Sequence, residues 1–129
     1  MAETSKPLTI LIVEDEALVA ASVTDMLEEM GFDVTGVAAS GLEALALVSE
    51  RRPRLALIDI RLTGSVDGID LAVQLREEYG IPAIFLSGVV GPEIAVRAQA
   101  AQPLGMMQKP FRPSEMFNAI ERAISVIPE

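Results

Sequence analysis

Five short apolar runs, each followed by an amphipathic stretch, organise the chain. The first, Leu8-Thr9-Ile10-Leu11-Ile12-Val13, is continuous and rich in β-branched residues, as a strand buried on both faces must be. It stops at Glu14-Asp15-Glu16, and Val19, Val23, Met26, Leu27 and Met30 then share one face of a helix that Gly31 ends. Phe32 to Ala38 reads as a second, weaker strand. Ser40 and Glu43 have the spacing of a capping box, so a helix starts there and runs toward Arg51-Arg52, with Pro53 as its stop. Leu55-Ala56-Leu57-Ile58 is the third strand and ends at Asp59. A loop, Ile60 to Val66, leads to Asp67 as N-cap of a helix with Leu71, Ala72, Leu75 and Tyr79 on one face.

The fourth strand, Pro82 to Leu86, ends at Ser87. Gly88 and Gly91 flank the next loop, and Pro92 suits the first turn of an Ala-rich helix over Glu93 to Ala101. Leu104 to Gln108 is a short fifth strand ending at Lys109-Pro110. A last helix from near Pro113 is expected to bury Phe117, Ile120, Ile124 and Ile127, with Pro128 closing it. Strand and helix alternating in this way predict an α/β fold, a doubly wound five-stranded parallel sheet covered on both faces. An eight-fold barrel would need about twice this length. In open sheets of this kind, ligands sit beyond the carboxyl ends of the strands, where the strand order reverses.

Composition narrows the function. With 129 residues, 50% of them hydrophobic, the chain suits one domain over 1–129 with a core of about 8–127. Ten basic against nineteen acidic residues give a net charge of −9, which disfavours nucleic acid and anionic membrane surfaces and favours a cation or a basic partner. There is no Cys and no His, which removes disulfides, thiol nucleophiles, Ser-His-Asp triads and imidazole metal sites. Met1 to Pro7 lacks the basic and apolar regions of a signal peptide, and no apolar run approaches the ~20 residues that span a bilayer, so the cytoplasm is the expected location.

The residues that close the strands form the candidate site: Glu14 and Asp15 after the first, Asp59 after the third, Ser87 after the fourth, Lys109 after the fifth. Alone, each has an ordinary reading. The carboxylates could cap helices, Ser87 could be a turn hydroxyl, and Lys109 a solvated charge. Together on one rim they are harder to dismiss. Crowded carboxylates need a cation, and an all-oxygen donor set suits Mg2+. Ser87 and Lys109 then supply a hydroxyl and a positive charge for phosphoryl oxygens, with Asp59 as the nucleophile that would carry the group as an acyl phosphate.

The ordered set Leu11-Ile12-Val13-Glu14-Asp15-Glu16, Leu57-Ile58-Asp59-Ile60, Asp67-Gly68, Leu86-Ser87-Gly88 and Lys109-Pro110-Phe111 resembles the receiver domain of two-component response regulators, over essentially the whole chain. The resemblance implies the flavodoxin-like (CheY-like) fold with strand order 2-1-3-4-5. It implies that Asp59 is the phosphoacceptor, that Asp15 binds Mg2+ directly, and that Glu14 acts mainly through water. The backbone carbonyl of Arg61 would be a further ligand. Ser87 would be the switch hydroxyl, Lys109 the phosphoryl-contacting lysine, and Lys109-Pro110 a cis bond. The phosphoryl donor would be a histidine kinase or histidine phosphotransfer protein, and the receiver a monomer or weak dimer. One departure is Met106, where the family usually has an aromatic residue. With Phe85-Leu86-Ser87-Gly88 on the fourth strand, this is similar to the FAT GUY subgroup, although Leu86-Ser87 replaces its Ala-Thr. Members of that subgroup often stand alone in phosphorelays.

Three other readings compete. A Mg2+-dependent phosphatase with an aspartyl nucleophile would want a second acid two positions after Asp59, where Arg61 stands, and a cap. A flavin- or nucleotide-binding module would want a Gly/Ser/Thr-rich loop after the first strand, where Glu14-Asp15-Glu16 stands. A receiver cut from a longer regulator fits the same residues.

Overall fold

A computed structural model describes residues 7–127 of the chain. The strands are β1 (Thr9–Val13), β2 (Asp33–Ala38), β3 (Leu55–Asp59), β4 (Ala83–Ser87) and β5 (Gly105–Gln108). The helices are α1 (Ala17–Glu29), α2 (Gly41–Glu50), α3 (Gly68–Tyr79), α4 (Pro92–Ala100) and α5 (Pro113–Ile124). All pairings are parallel and the sheet order is β2-β1-β3-β4-β5. The expected fold and strand order are both observed.

Strand alternation splits the core in two. Leu11, Val13, Ala56, Ile58 and Phe85 point to the face covered by α2, α3 and α4, where they meet Ala44, Val48, Leu71, Leu75 and Ala98. Ile10, Ile12, Leu57, Ile84 and Leu86 point the other way, onto Val23 and Leu27 of α1 and Met116 and Ile120 of α5. Every residue of β3 and β4 is buried, which is why those two runs read as uninterrupted apolar sequence. β2 lies at the edge and is less deeply buried, which accounts for its weaker signal. Its register with β1 slips at Thr35, whose hydroxyl donates to the Ile10 carbonyl at 3.5 Å.

The helix punctuation follows the sequence closely. Glu43 N–H donates to the Ser40 hydroxyl at 3.2 Å, while the Glu43 carboxylate accepts from Ala39 N–H at 2.8 Å. Asp67 caps α3 by accepting from Asp70 N–H at 2.8 Å. Gly31, with φ at +88°, follows α1 in the left-handed region, where glycine carries no Cβ penalty. One expectation fails. On α5, Phe117 and Ile124 are 43% and 39% exposed, and the buried face consists of Met116, Ala119, Ile120 and Ala123. The buried positions 116, 119, 120 and 123 repeat at helical spacing, Ile120 among them as expected, and Phe117 and Ile124 fall one position off that face. Ile127 lies past the end of α5, half-buried, and Pro128 lies outside the described residues.

Candidate functional site

The reversal of strand order between β1 and β3 sets the site. β1 has β2 on one side and β3 on the other, so Glu14-Asp15 and Asp59 end adjacent strands: Val13 pairs with Ile58, one residue short of both. Backbone bonds carry the sheet just past its last core residues and fix the functional positions. Glu14 N–H donates to Ala38 at 2.9 Å, Ile60 N–H to Leu86 at 3.0 Å, and Lys109 N–H to the Ser87 carbonyl at 2.6 Å. The bond between Lys109 and Pro110 is cis.

The side chains converge on this rim. Lys109 Nζ lies 2.7 Å from Glu14 Oε1, 3.2 Å from Asp59 Oδ2 and 3.6 Å from Glu16 Oε1. Asp59 Oδ1 accepts from the Arg61 N–H at 3.0 Å, and Glu14 Oε2 from the Glu16 N–H at 3.1 Å. The Glu14 and Asp59 carboxylates are 0% and 7% exposed, so these are paired charges in a largely dry setting. Burial pushes the Glu14 carboxyl above its ordinary range, partly offset by the hydrogen bond from Lys109. Burial pulls the Lys109 ammonium down, but its bonds to Glu14 and Asp59 outweigh that and hold it above its ordinary range. None of Glu14, Asp15 and Asp59 caps a helix: the N-cap of α1 is Glu16, that of α3 is Asp67.

Glu14, Asp15 and Asp59 bring carboxylate oxygens within 4.8 Å of one another. Three oxygen donors at that spacing fit a small hard cation. Ser87 is buried on the adjoining strand end, one position beyond the residue paired with Asp59, and no side-chain hydrogen bond among the described residues joins it to the acids.

Three contributors were not visible in the sequence reading. Glu16 is the outer carboxylate on Lys109. Thr63 donates its backbone N–H to Asp15 Oδ2 at 3.4 Å, a contact for which no residue-type signal exists. Gly68 leaves room for the Asp59 backbone: a Cβ there would stand 2.0 Å from the Asp59 carbonyl oxygen. The pair Asp67-Gly68 was its only trace.

Comparison with known proteins agrees with this geometry. Residues 10–121 match the response regulator receiver domain. The chain is 33% identical over 124 residues to the transcriptional regulatory protein PdtaR of Mycobacterium tuberculosis, covering 96% of this chain and 60% of that protein. It is 34% identical over 116 residues to the phyllosphere-induced regulator PhyR of Methylorubrum extorquens, covering 89% of this chain and 43% of that one. It thus spans 60% or less of these relatives' lengths. The crystal structure of the signal receiver domain of modulated diguanylate cyclase from Desulfovibrio desulfuricans G20 superposes with a TM-score of 0.88 at 37% identity, over 92% of this chain and 94% of that one. With its five-stranded order, its acidic rim and a family match that covers most of its length, this chain belongs to the response regulator receiver domain family.

Proposed function

We propose that the chain is the phosphoacceptor of a phosphorelay and that Asp59 accepts the group from a phosphohistidine on another protein. The observation that carries this reading is the hydrogen-bonded set at the β1, β3 and β5 ends, with Asp59 held by Arg61 N–H on one oxygen and Lys109 on the other. An Asp59 oxygen attacks phosphorus, the P–N bond breaks, and the protonated imidazole leaves with the bonding pair, giving an acyl phosphate. Lys109 is placed to follow the charge onto the phosphoryl oxygens, and Ser87 to donate its hydroxyl to one of them. Glu14, Asp15, Asp59 and the Arg61 carbonyl would hold Mg2+, which supplies charge neutralisation for the transferred group. The phosphodonor has an apolar seat nearby, a groove of about 480 Å³ between α1 and the segment after β5, walled by Leu18, Val19, Met26, Pro110 and Phe111 and reaching Lys109. No helix among the described residues is long and apolar enough to cross a membrane.

Incubation with acetyl phosphate and Mg2+ should add one alkali-labile phosphoryl group, read by mass spectrometry, and Asp59→Asn should abolish it with little loss of stability. Full labelling of that variant would remove Asp59 from its role, and sustained turnover of a small phosphate ester would favour the phosphatase reading.

Charge repulsion gives a second expectation. Asp15 adds a third anion to a site where Lys109 is the one paired cation among the described residues. Asp15→Asn should therefore raise metal-free stability by about 1 kcal/mol, a surface-proximal Coulomb contribution, and erase the further gain from Mg2+. Urea unfolding with and without the ion measures both, and an equal Mg2+ gain in variant and wild type would contradict the metal assignment.

A further inference from the structure

The loop from Ile60 to Val66 follows a fixed path across the rim. Its base is closed, because Gly68 N–H donates to the Ile60 carbonyl at 3.2 Å. Leu62 is buried, and Val66 is half-buried against the core under α2 and α3. Between them Thr63, Gly64 and Ser65 are exposed, and Gly64, with φ at +105°, makes the turn. A short loop with closed ends and its own side chains packed inward keeps a defined shape. The strand order gives it a route. β1 lies between β2 and β3, and α2 follows β2, so a loop that leaves β3 and leans on α2 arches over the end of β1. Asp15 stands at that end, and Thr63 N–H reaches its Oδ2 at 3.4 Å.

What the loop leans on is a glycine. A Cβ on Gly41, the first residue of α2, would stand 2.8 Å from Val66 Cβ, 2.9 Å from its Cγ1 and 3.3 Å from its carbonyl oxygen. Apolar carbons pack at about 3.5–4.0 Å, so a methyl there would push one partner back by roughly 0.7 Å or more. α2 is the stiffer partner: Ala44 and Val48 hold it in the core, and Ser40 and Glu43 fix its first turn. The loop, with its exposed tip, is the part that yields. A 3.4 Å bond is already long, and a displacement of that size breaks the link from Thr63 to Asp15. The seating of Val66 and the orientation of Asp15 are therefore coupled, although neither Gly41 nor Val66 has a side chain that could bind a cation.

We propose that the contact between Val66 and Gly41 is the positioning device of this loop: it holds residues 60–66 across the end of β1, with Thr63 N–H on Asp15, and thereby sets the Mg2+ affinity of the acidic cluster. The affinity half of this statement rests on the metal reading of Glu14, Asp15 and Asp59; the loop half does not. Gly41 and Val66 are positioning residues and touch no reacting atom.

The test follows amide chemical shifts of the whole chain, first without metal and then through a Mg2+ titration. Without metal, Gly41→Ala should move the Thr63 amide proton upfield, as it loses its acceptor. In the titration the same variant should bind Mg2+ about tenfold more weakly, the lower end of what losing a group that orients a metal ligand costs. Val66→Gly, which removes the seat, should weaken binding by less. In Gly41→Ala/Val66→Gly the new methyl takes the vacated space, so the double variant should bind more tightly than Gly41→Ala alone, a coupling that two independent structural losses would not show. Should Gly41→Ala not fold, Val66→Ala, which opens space without strain, should still shift Thr63 and weaken binding. Ile120→Val, which thins the core on the opposite face of the sheet, should leave Mg2+ affinity unchanged. An unmoved Thr63 amide in Gly41→Ala, wild-type Mg2+ affinity in that variant, or losses that simply add would overturn the proposal. Absence of Mg2+ binding in the wild type would instead overturn the metal reading and leave the metal-free result at Thr63 standing.

Discussion

Lys109→Ala is expected to cost the metal-free protein about 3 kcal/mol, the lower end of what removing one partner from a buried ion pair costs. The side chain is 19% exposed, so some solvent reaches the site. Yet Glu14 and Asp59 would be left as neighbouring buried anions, with no other cation among the described residues paired to either. One of them must then take up a proton, and the raised Glu14 is the better placed. The sign follows from linkage. A carboxyl whose folded-state pKa is raised binds more protons folded than unfolded, so the variant should gain stability as pH falls toward 4.5, the ordinary glutamate value, and lose it as pH rises. Added Mg2+ should also recover more stability in the variant than in the wild type, because it replaces the missing charge. Urea midpoints at acidic and neutral pH, with and without the ion, measure each part. If the loss is independent of both pH and Mg2+, Lys109 does not neutralise this cluster. Acetyl-phosphate labelling should fall as well, while Mg2+ affinity is retained or improved.

Gly68→Ala is the second large effect. The added methyl would meet the Asp59 carbonyl oxygen at 2.0 Å, its carbon at 2.9 Å and Ile60 Cα at 2.9 Å. All three are backbone atoms in β3 or just after it, so no side chain can rotate away and α3 or the strand end must move. The expected cost is about 3 kcal/mol, the upper range for forced overpacking. Because the strain falls on Asp59 itself, labelling by acetyl phosphate should slow by about tenfold or more. Gly36→Ala is the control. The methyl there would meet Leu47 Cδ1 at 3.2 Å, the far end of a side chain that can yield. If thermal unfolding ranks the two variants together, the close approach of α3 to Asp59 is not what demands glycine.

The legible and illegible parts of this chain differ in kind. β1, β3 and β4 were readable because strands covered on both faces leave continuous apolar runs, and the caps at Ser40 and Asp67 because their side chains carry the bond. On α5 the pattern of large residues marks only part of the buried face: Ile120 is buried as expected, Phe117 and Ile124 are exposed, and the rest of the face is Met116, Ala119 and Ala123, of which the alanines look neutral in sequence. α1 shows the same effect at Ala20, which is buried, whereas Val19 and Met26 are only partly so. In the site, residue types at strand ends revealed Glu14, Asp15, Asp59, Ser87 and Lys109. Which acid Lys109 sits closest to was not legible, because the 2.7 Å bond to Glu14 joins residues 95 positions apart. Thr63 was hidden because its contribution is backbone, and Gly68 because its contribution is the lack of a side chain.

The separation of the two ends of the sheet has a practical consequence. The site residues stand where strands pass into helices, while the returns from helix to strand lie at the opposite pole. Gly31, Gly80 and Gln102, three of the four residues with positive φ among the described residues, fall in those returns, and the fourth, Gly64, is in the loop beside the site. Tight geometry at the far pole thus closes the fold without touching the reacting groups. The return after α4, where Gln102 and Pro103 precede β5, is the natural place to open the chain for a circular permutant or to insert a reporter domain. A protein rearranged there keeps every strand end that lines the acidic rim, so that rim could be used as a transplantable module.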